Sequence, residues 1–213
     1  MDGPPEAEQG QGHEPASRAQ VGELRRRLSQ SHLFIEVLAR ALTLELPGWY
    51  LAAGCVTQTA WNALYGRDLD RGILDYDLPY FDPTDLSWAA ENLSTRRAEA
   101  TLRGLGVLAD VKNEARVHLW YGRHFGLAIP PYPSAEAAIA TFPTTASAVG
   151  VRLEPDGGWR VFAPYGLADL LQGVVRPNCR LVTAEVYRAK TARWQQEWPM
   201  LTVLPWPAGA GPR

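Results

Sequence analysis

A hairpin in the C-terminal third constrains the fold most. The apolar runs 148–153 and 159–163 flank Pro155-Asp156-Gly157-Gly158. Turn residues in that order join neighbouring antiparallel strands. An all-parallel, doubly wound sheet has no place for such a pair. Helical and strand-like patterns alternate irregularly around the hairpin, so the chain is expected to be α+β, a mixed β-sheet flanked by helices.

Residues 1–18 are rich in Pro, Gly, Glu and Gln, lack apolar periodicity, and are expected to be a disordered tail. Residues 19–206 are expected to form a single domain and 207–213 a loose Pro/Gly-rich tail. Over 20–44, Val21, Leu24 and Leu28, then Phe34, Val37, Leu38, Ala41 and Leu42, recur at helical spacing, as one long helix or two short ones. The run 49–53 reads as a buried strand closed by Gly54, with a helix over 56–65. A strand over 73–81 would hold Asp75 and Asp77, and a helix over 88–102 would be capped by Asp85 or Ser87. Strands are predicted over 107–112 and 116–121, and helices over 134–140, 166–171 and 183–198. Trp61, Trp88 and Trp194 fall at helical positions expected in the core.

The 213 residues carry a net charge of −2, without the basic excess of a bulk nucleic-acid binder. Nucleic acid is therefore not indicated as a partner. No apolar run approaches the roughly 18–20 residues of a membrane span, so no membrane association is expected. The two cysteines, Cys55 and Cys179, make neither a disulfide framework nor a zinc pattern, and the N-terminus is no secretory signal. A cytoplasmic location is the expectation. Of 21 basic residues only Lys112 and Lys190 are lysine. A chain that so favours Arg keeps Lys where a compact ammonium is useful.

Alternate side chains of a strand share a face, so Asp75 and Asp77 would point the same way. Two carboxylates so placed can grip Mg²⁺, with substrate phosphates completing its shell, as phosphoryl or nucleotidyl transfer requires. The same pair would also suit an exposed strand near the turn at Asp82 and Asp85. Asp110, alone among apolar neighbours, joins the pair if its strand lies beside theirs; otherwise it is a surface acid. Glu114 is a weaker substitute, falling in the turn beyond. Gly54, at a strand-to-helix junction, would let phosphate reach backbone N–H groups, or would merely close the turn.

These residues resemble the nucleotidyltransferase superfamily that includes DNA polymerase β, whose pattern is a Gly-Gly or Gly-Ser turn, Asp-x-Asp or Asp-x-Glu, then a later strand carboxylate. The chain is similar, more closely, to a bacterial nucleotidyltransferase-like family through WYLAAGCVTQTAW (49–61), DYDLPYFDPTD (75–85), KNEARVHLWY (112–121), TFPTTASAVGVR (141–152), APYGLAD (163–169) and YRAKTARWQQEWP (187–199). The resemblance covers about residues 30–206. It implies the nucleotidyltransferase-like fold, with Asp75, Asp77 and Asp110 as catalytic metal ligands. The turn departs from the pattern, reading Gly54-Cys55 without the Ser, so that Thr57 would have to supply the hydroxyl. The step from Gly54 to Asp75 is also long, at 75 − 54 = 21 positions.

Lys190 and Arg193, three apart on a helix, would hold a triphosphate or line a solvated face. Arg116 and His118, flanking the third acid with Lys112, would contact phosphate or acceptor, or pair across strands. Gly54, Cys55, Thr57, Arg116, Lys190 and Arg193 are thus the nucleotide-binding candidates. The expected activity is Mg²⁺-dependent transfer of a nucleoside monophosphate from a nucleoside triphosphate to an acceptor hydroxyl, with Mn²⁺ as substitute metal. The alternative is an inactive nucleotidyltransferase-fold protein that binds a nucleotide or a protein.

Overall fold

The computed structural model describes residues 14–211; residues 1–13 of the expected N-terminal tail, and 212–213, lie outside the described residues. Two short helices take the place of the ambiguous first segment, α1 (Arg18–Leu28) and α2 (His32–Leu42). They separate because Ser31 caps the second, its Oγ accepting from the Phe34 N–H. Ser17 and Gln20 form a reciprocal capping box on α1, so ordered structure begins inside the segment expected to be a tail.

Then follow β1 (Leu51–Ala52), α3 (Ala53–Leu64), β2 (Tyr76–Tyr80), α4 (Trp88–Thr101) and β3 (Ala109–Asn113). A 3₁₀ helix (Glu114–Leu119), α5 (Tyr121–Phe125) and α6 (Ala135–Ile139) come next. The hairpin is β4 (Gly150–Leu153) and β5 (Trp159–Phe162). The chain ends with α7 (Ala168–Gln172), β6 (Val174–Val175), α8 (Ala184–Glu197) and β7 (Thr202–Val203). No helix among the described residues is long and apolar enough to cross a membrane.

Five strands form one sheet in the order β3-β2-β1-β4-β5. β2 and β3 are parallel and the other pairs antiparallel, so the mixed sheet implied by the hairpin is present. β6 and β7 make a separate parallel pair. One face of the sheet, with Leu51, Tyr76, Leu78, Val111 and Val151, packs into the main core with Leu24, Leu38, Val56 and Trp61. On the other face Ala52 joins Tyr50, Ala135 and Ile139 in a small cluster under α6. That face carries the acids.

Three local expectations are corrected. The segment expected as a strand over 116–121 is the 3₁₀ helix and the start of α5. The Asn113 side chain accepts from the Ala115 N–H at 3.1 Å and turns the chain out of the sheet. Trp88, expected in the core, is 67% exposed, because it opens α4 directly after the Ser87 cap, on the outer side. Asp75 lies one residue before β2 rather than within the strand.

Candidate active site

β1 runs into α3 with no residue between. Ala53 makes the turn at φ +55°, in the left-handed region that crowds a Cβ. Ala52, at the cap position, offers no side-chain acceptor to the first turn of α3, and only the Ala53 N–H is taken by backbone, the Val149 carbonyl at 3.2 Å. Such an N-terminus attracts anions. Here a protein anion already leans on it, for Asp77 Oδ2 accepts from the Gly54 N–H at 3.4 Å. A Cβ on Gly54 would stand 3.0 Å from Gln58 Nε2 and 3.9 Å from Asp77 Oδ2, so the bare Cα keeps this corner open.

The acids are set by strand register. Ala52 of β1 faces Asp77 of β2, which faces Asp110 of β3. Adjacent strands lie about 4.8 Å apart, so the row places two carboxylates side by side next to the α3 N-terminus. Asp77 is partly buried, and burial followed by the charge of Asp75 pushes its pKa up to about 7. Lys190 opposes that shift and Asp110 adds to it. Lys190 faces the acids from α8, and its own pKa is pulled down by burial and held up by Asp77. Its Nζ sits over the Trp194 ring at 5.0 Å.

The other expected residues are placed differently. Asp75 is exposed beside the row. The Lys112 ammonium donates to Asp110 Oδ1 at 2.5 Å. The Cys55 thiol is fully buried against the Ala52 carbonyl at 3.2 Å, and burial raises its pKa well above the usual thiol range. Thr57 does not supply the missing hydroxyl: its Oγ is buried between the carbonyls of Ala53 and Ala146 at 2.8 and 3.1 Å. Arg116 is committed to the Glu91 carboxylate and the Leu86 carbonyl, and Arg193 is exposed one turn along from Lys190.

One buried residue escapes a reading of the sequence and another is undervalued by it. Gln58 is buried at the open corner with its Oε1 unpartnered. Its signal was a polar amide on a helix buried all round. Glu114, ranked below Asp110 for its place after the strand, is buried, and burial and then Asp77 push its pKa up to about 8.

Carboxylate oxygens are the donors Mg²⁺ and Mn²⁺ favour, and a buried acid beside two others is what a cation would neutralise. Asp75, Asp77 and Asp110 do not, however, form one ligand group. Among the described residues no three His, Cys, Asp or Glu stand close enough together to hold a metal. The donors fit a cation gripped by one or two carboxylates, the mode that leaves room for waters and substrate phosphates.

Comparison with known proteins gives a family and a fold. A nucleotidyltransferase family model matches residues 39–203. A solved NMR structure, described as revealing a CCA-adding enzyme head domain, superposes with a TM-score of 0.71 at 25% identity, covering 87% of this chain and 96% of that one. The Thermotoga maritima CCA-adding enzyme complexed with tRNA matches at a TM-score of 0.45 and 15% identity, over 86% of this chain and 42% of that one. No curated protein sequence matches. With its mixed sheet, its acid row at a helix N-terminus and a family match over most of its length, the chain belongs to the nucleotidyltransferase family.

Proposed function

We propose that this chain transfers the nucleoside monophosphate of a nucleoside triphosphate to an acceptor hydroxyl. One observation carries the reading: Asp77 and Asp110 stand in register beside the bare N-terminus of α3. The triphosphate would rest on the α3 N-terminus at Cys55, taking the Gly54 N–H from Asp77, with Lys190 approaching from α8. Mg²⁺, or Mn²⁺, bound at Asp77 with Asp75 or Asp110 would neutralise phosphate oxygens. The acceptor oxygen bonds to the α-phosphorus and the α–β bridging P–O bond breaks. Pyrophosphate leaves with the electron pair, and the acceptor proton passes to Asp110. A triphosphate donor and the buried thiol of Cys55 suit a reducing cytoplasm. Substituting Asp77→Asn should abolish release of pyrophosphate from a nucleoside triphosphate. Full turnover by that variant rules the mechanism out.

A second reading has its own support, since the acids are not gathered as a ligand group and the side chains of Cys55 and Thr57 turn inward. In it the chain binds a nucleotide without turnover. Isothermal titration with a panel of nucleoside triphosphates, with and without Mg²⁺, separates the two. Tight metal-independent binding without pyrophosphate release favours the binder.

A further inference from the structure

Beyond the edge strand β3 the chain folds around a cleft of about 530 Å³. Aromatic rings from Trp120, Tyr121, Phe125, Tyr132 and Phe142 form much of its wall. A volume of this order takes a small molecule.

Three of its lining residues lead toward the acid row. Lys112 lines it, and the same ammonium holds Asp110. Val186 lines it from α8, and Lys190, one turn further along that helix, faces Asp77. Glu114 lines it, and the charges of Asp77 and Asp110 act on its carboxyl. Glu114 is only 7% exposed, yet no hydrogen bond or ion pair among the described residues satisfies its carboxyl. Its oxygens are not sealed inside the protein but open onto the cleft, where a ligand hydroxyl can bond to them.

Position distinguishes which reactant belongs here. The α3 N-terminus follows β1, the acids lie on β2 and β3, and the cleft opens past β3. A molecule held at the Lys112 and Glu114 end of the cleft would therefore reach the acids from the β3 side and phosphates on α3 from the β1 side, the separation that in-line displacement asks of attacking and leaving groups. Lys112 is the one Lys or Arg among the described lining residues, and Asp110 already engages it. A nucleic-acid backbone would find little counter-charge.

We propose that this cleft binds the acceptor of the transfer, and that the acceptor is a small aromatic alcohol. Its ring lies among the aromatic side chains and its hydroxyl bonds to Glu114 on the Lys112 side. The acceptor role rests on the transferase reading; the ligand class rests on the cleft alone.

Benzyl alcohol is a suitable probe, followed by saturation-transfer NMR on the full chain, with Mg·ATP affinity measured separately. Val186 is 46% exposed at the cleft, so Val186→Trp can obstruct it without disturbing the core. The expected result is benzyl alcohol binding that weakens by about tenfold or more in Val186→Trp, while ATP affinity stays within about twofold. Wild type should prefer benzyl alcohol to toluene, and Glu114→Leu should reverse that preference. Failure of the wild type to bind benzyl alcohol, or equal binding by Val186→Trp, overturns the proposal. Loss of ATP affinity in Val186→Trp also overturns it, by placing the nucleobase in the cleft. Benzyl alcohol binding as expected, with no ATP binding to the wild type, upholds the aromatic-alcohol site and removes the transferase reading instead.

Discussion

At the scale of single residues, Asp77 works against folding whenever it is charged. Its folded pKa, about 7, lies above its ordinary value of 3.8. The folded state thus holds its proton more tightly than the unfolded chain does. The resulting stability is complete below the ordinary value and is lost as pH rises through about 7. Asp77→Asn should accordingly raise the metal-free melting temperature at pH 8, by an amount on the order of 2 kcal/mol, and change it little at pH 4. Melts at the two pH values check both halves. Gly54 offers a second test. In Gly54→Ala the new methyl meets the flexible end of Gln58 and enters the open corner. The helix preference for Ala, about 1 kcal/mol, offsets the displacement of the Gln58 amide, so stability should change little, while titration of Mg·ATP should show an affinity loss of about tenfold or more.

At the scale of elements, short helices are held by their ends. α7 stops at Gly173, whose φ is +70°, and a Cβ there would lie 2.1 Å from the Tyr65 hydroxyl. Gly173→Ala combines left-handed strain with that collision. A loss of about 2 kcal/mol or more, seen as a drop of roughly 5 °C in melting temperature, is expected. Elements with a strong local signal were legible in the sequence: the hairpin, and the start of α4, where Ser87, one of the two candidate caps, accepts from Ala90. The 3₁₀ helix was hidden because Ala115, Val117 and Leu119 alternate with Arg116 and His118 in a strand-like period. The Asn113 side chain overrides that pattern. Trp88 misled because helical spacing gives a face but not its direction. The facing of Asp77 and Asp110 was legible only as a condition. Parallel pairing of β2 with β3 runs through α4, and no local pattern encodes its register. Glu114 was ranked too low and Gln58 not at all because burial by distant elements, not their neighbours in sequence, gives them their chemistry.

At the scale of the whole molecule, one buried amide joins the parts that carry the site. Asn62 Nδ2 donates to the carbonyls of Leu69 and Arg71, on the loop into β2, and its Oδ1 accepts from Trp198 Nε1 just past α8. Asn62→Ala would orphan all three groups. An effect on the order of 3 kcal/mol, or roughly 10 °C in melting temperature, is expected by calorimetry. The same contact region holds Trp61 edge-on to Trp194 and Trp198, with ring centroids 5.1 and 5.8 Å apart. Lys190 lies over the Trp194 ring of this indole group while facing Asp77. A triphosphate that drew the ammonium off its ring would therefore alter indole emission, giving the protein a built-in optical signal for occupancy that needs no attached dye.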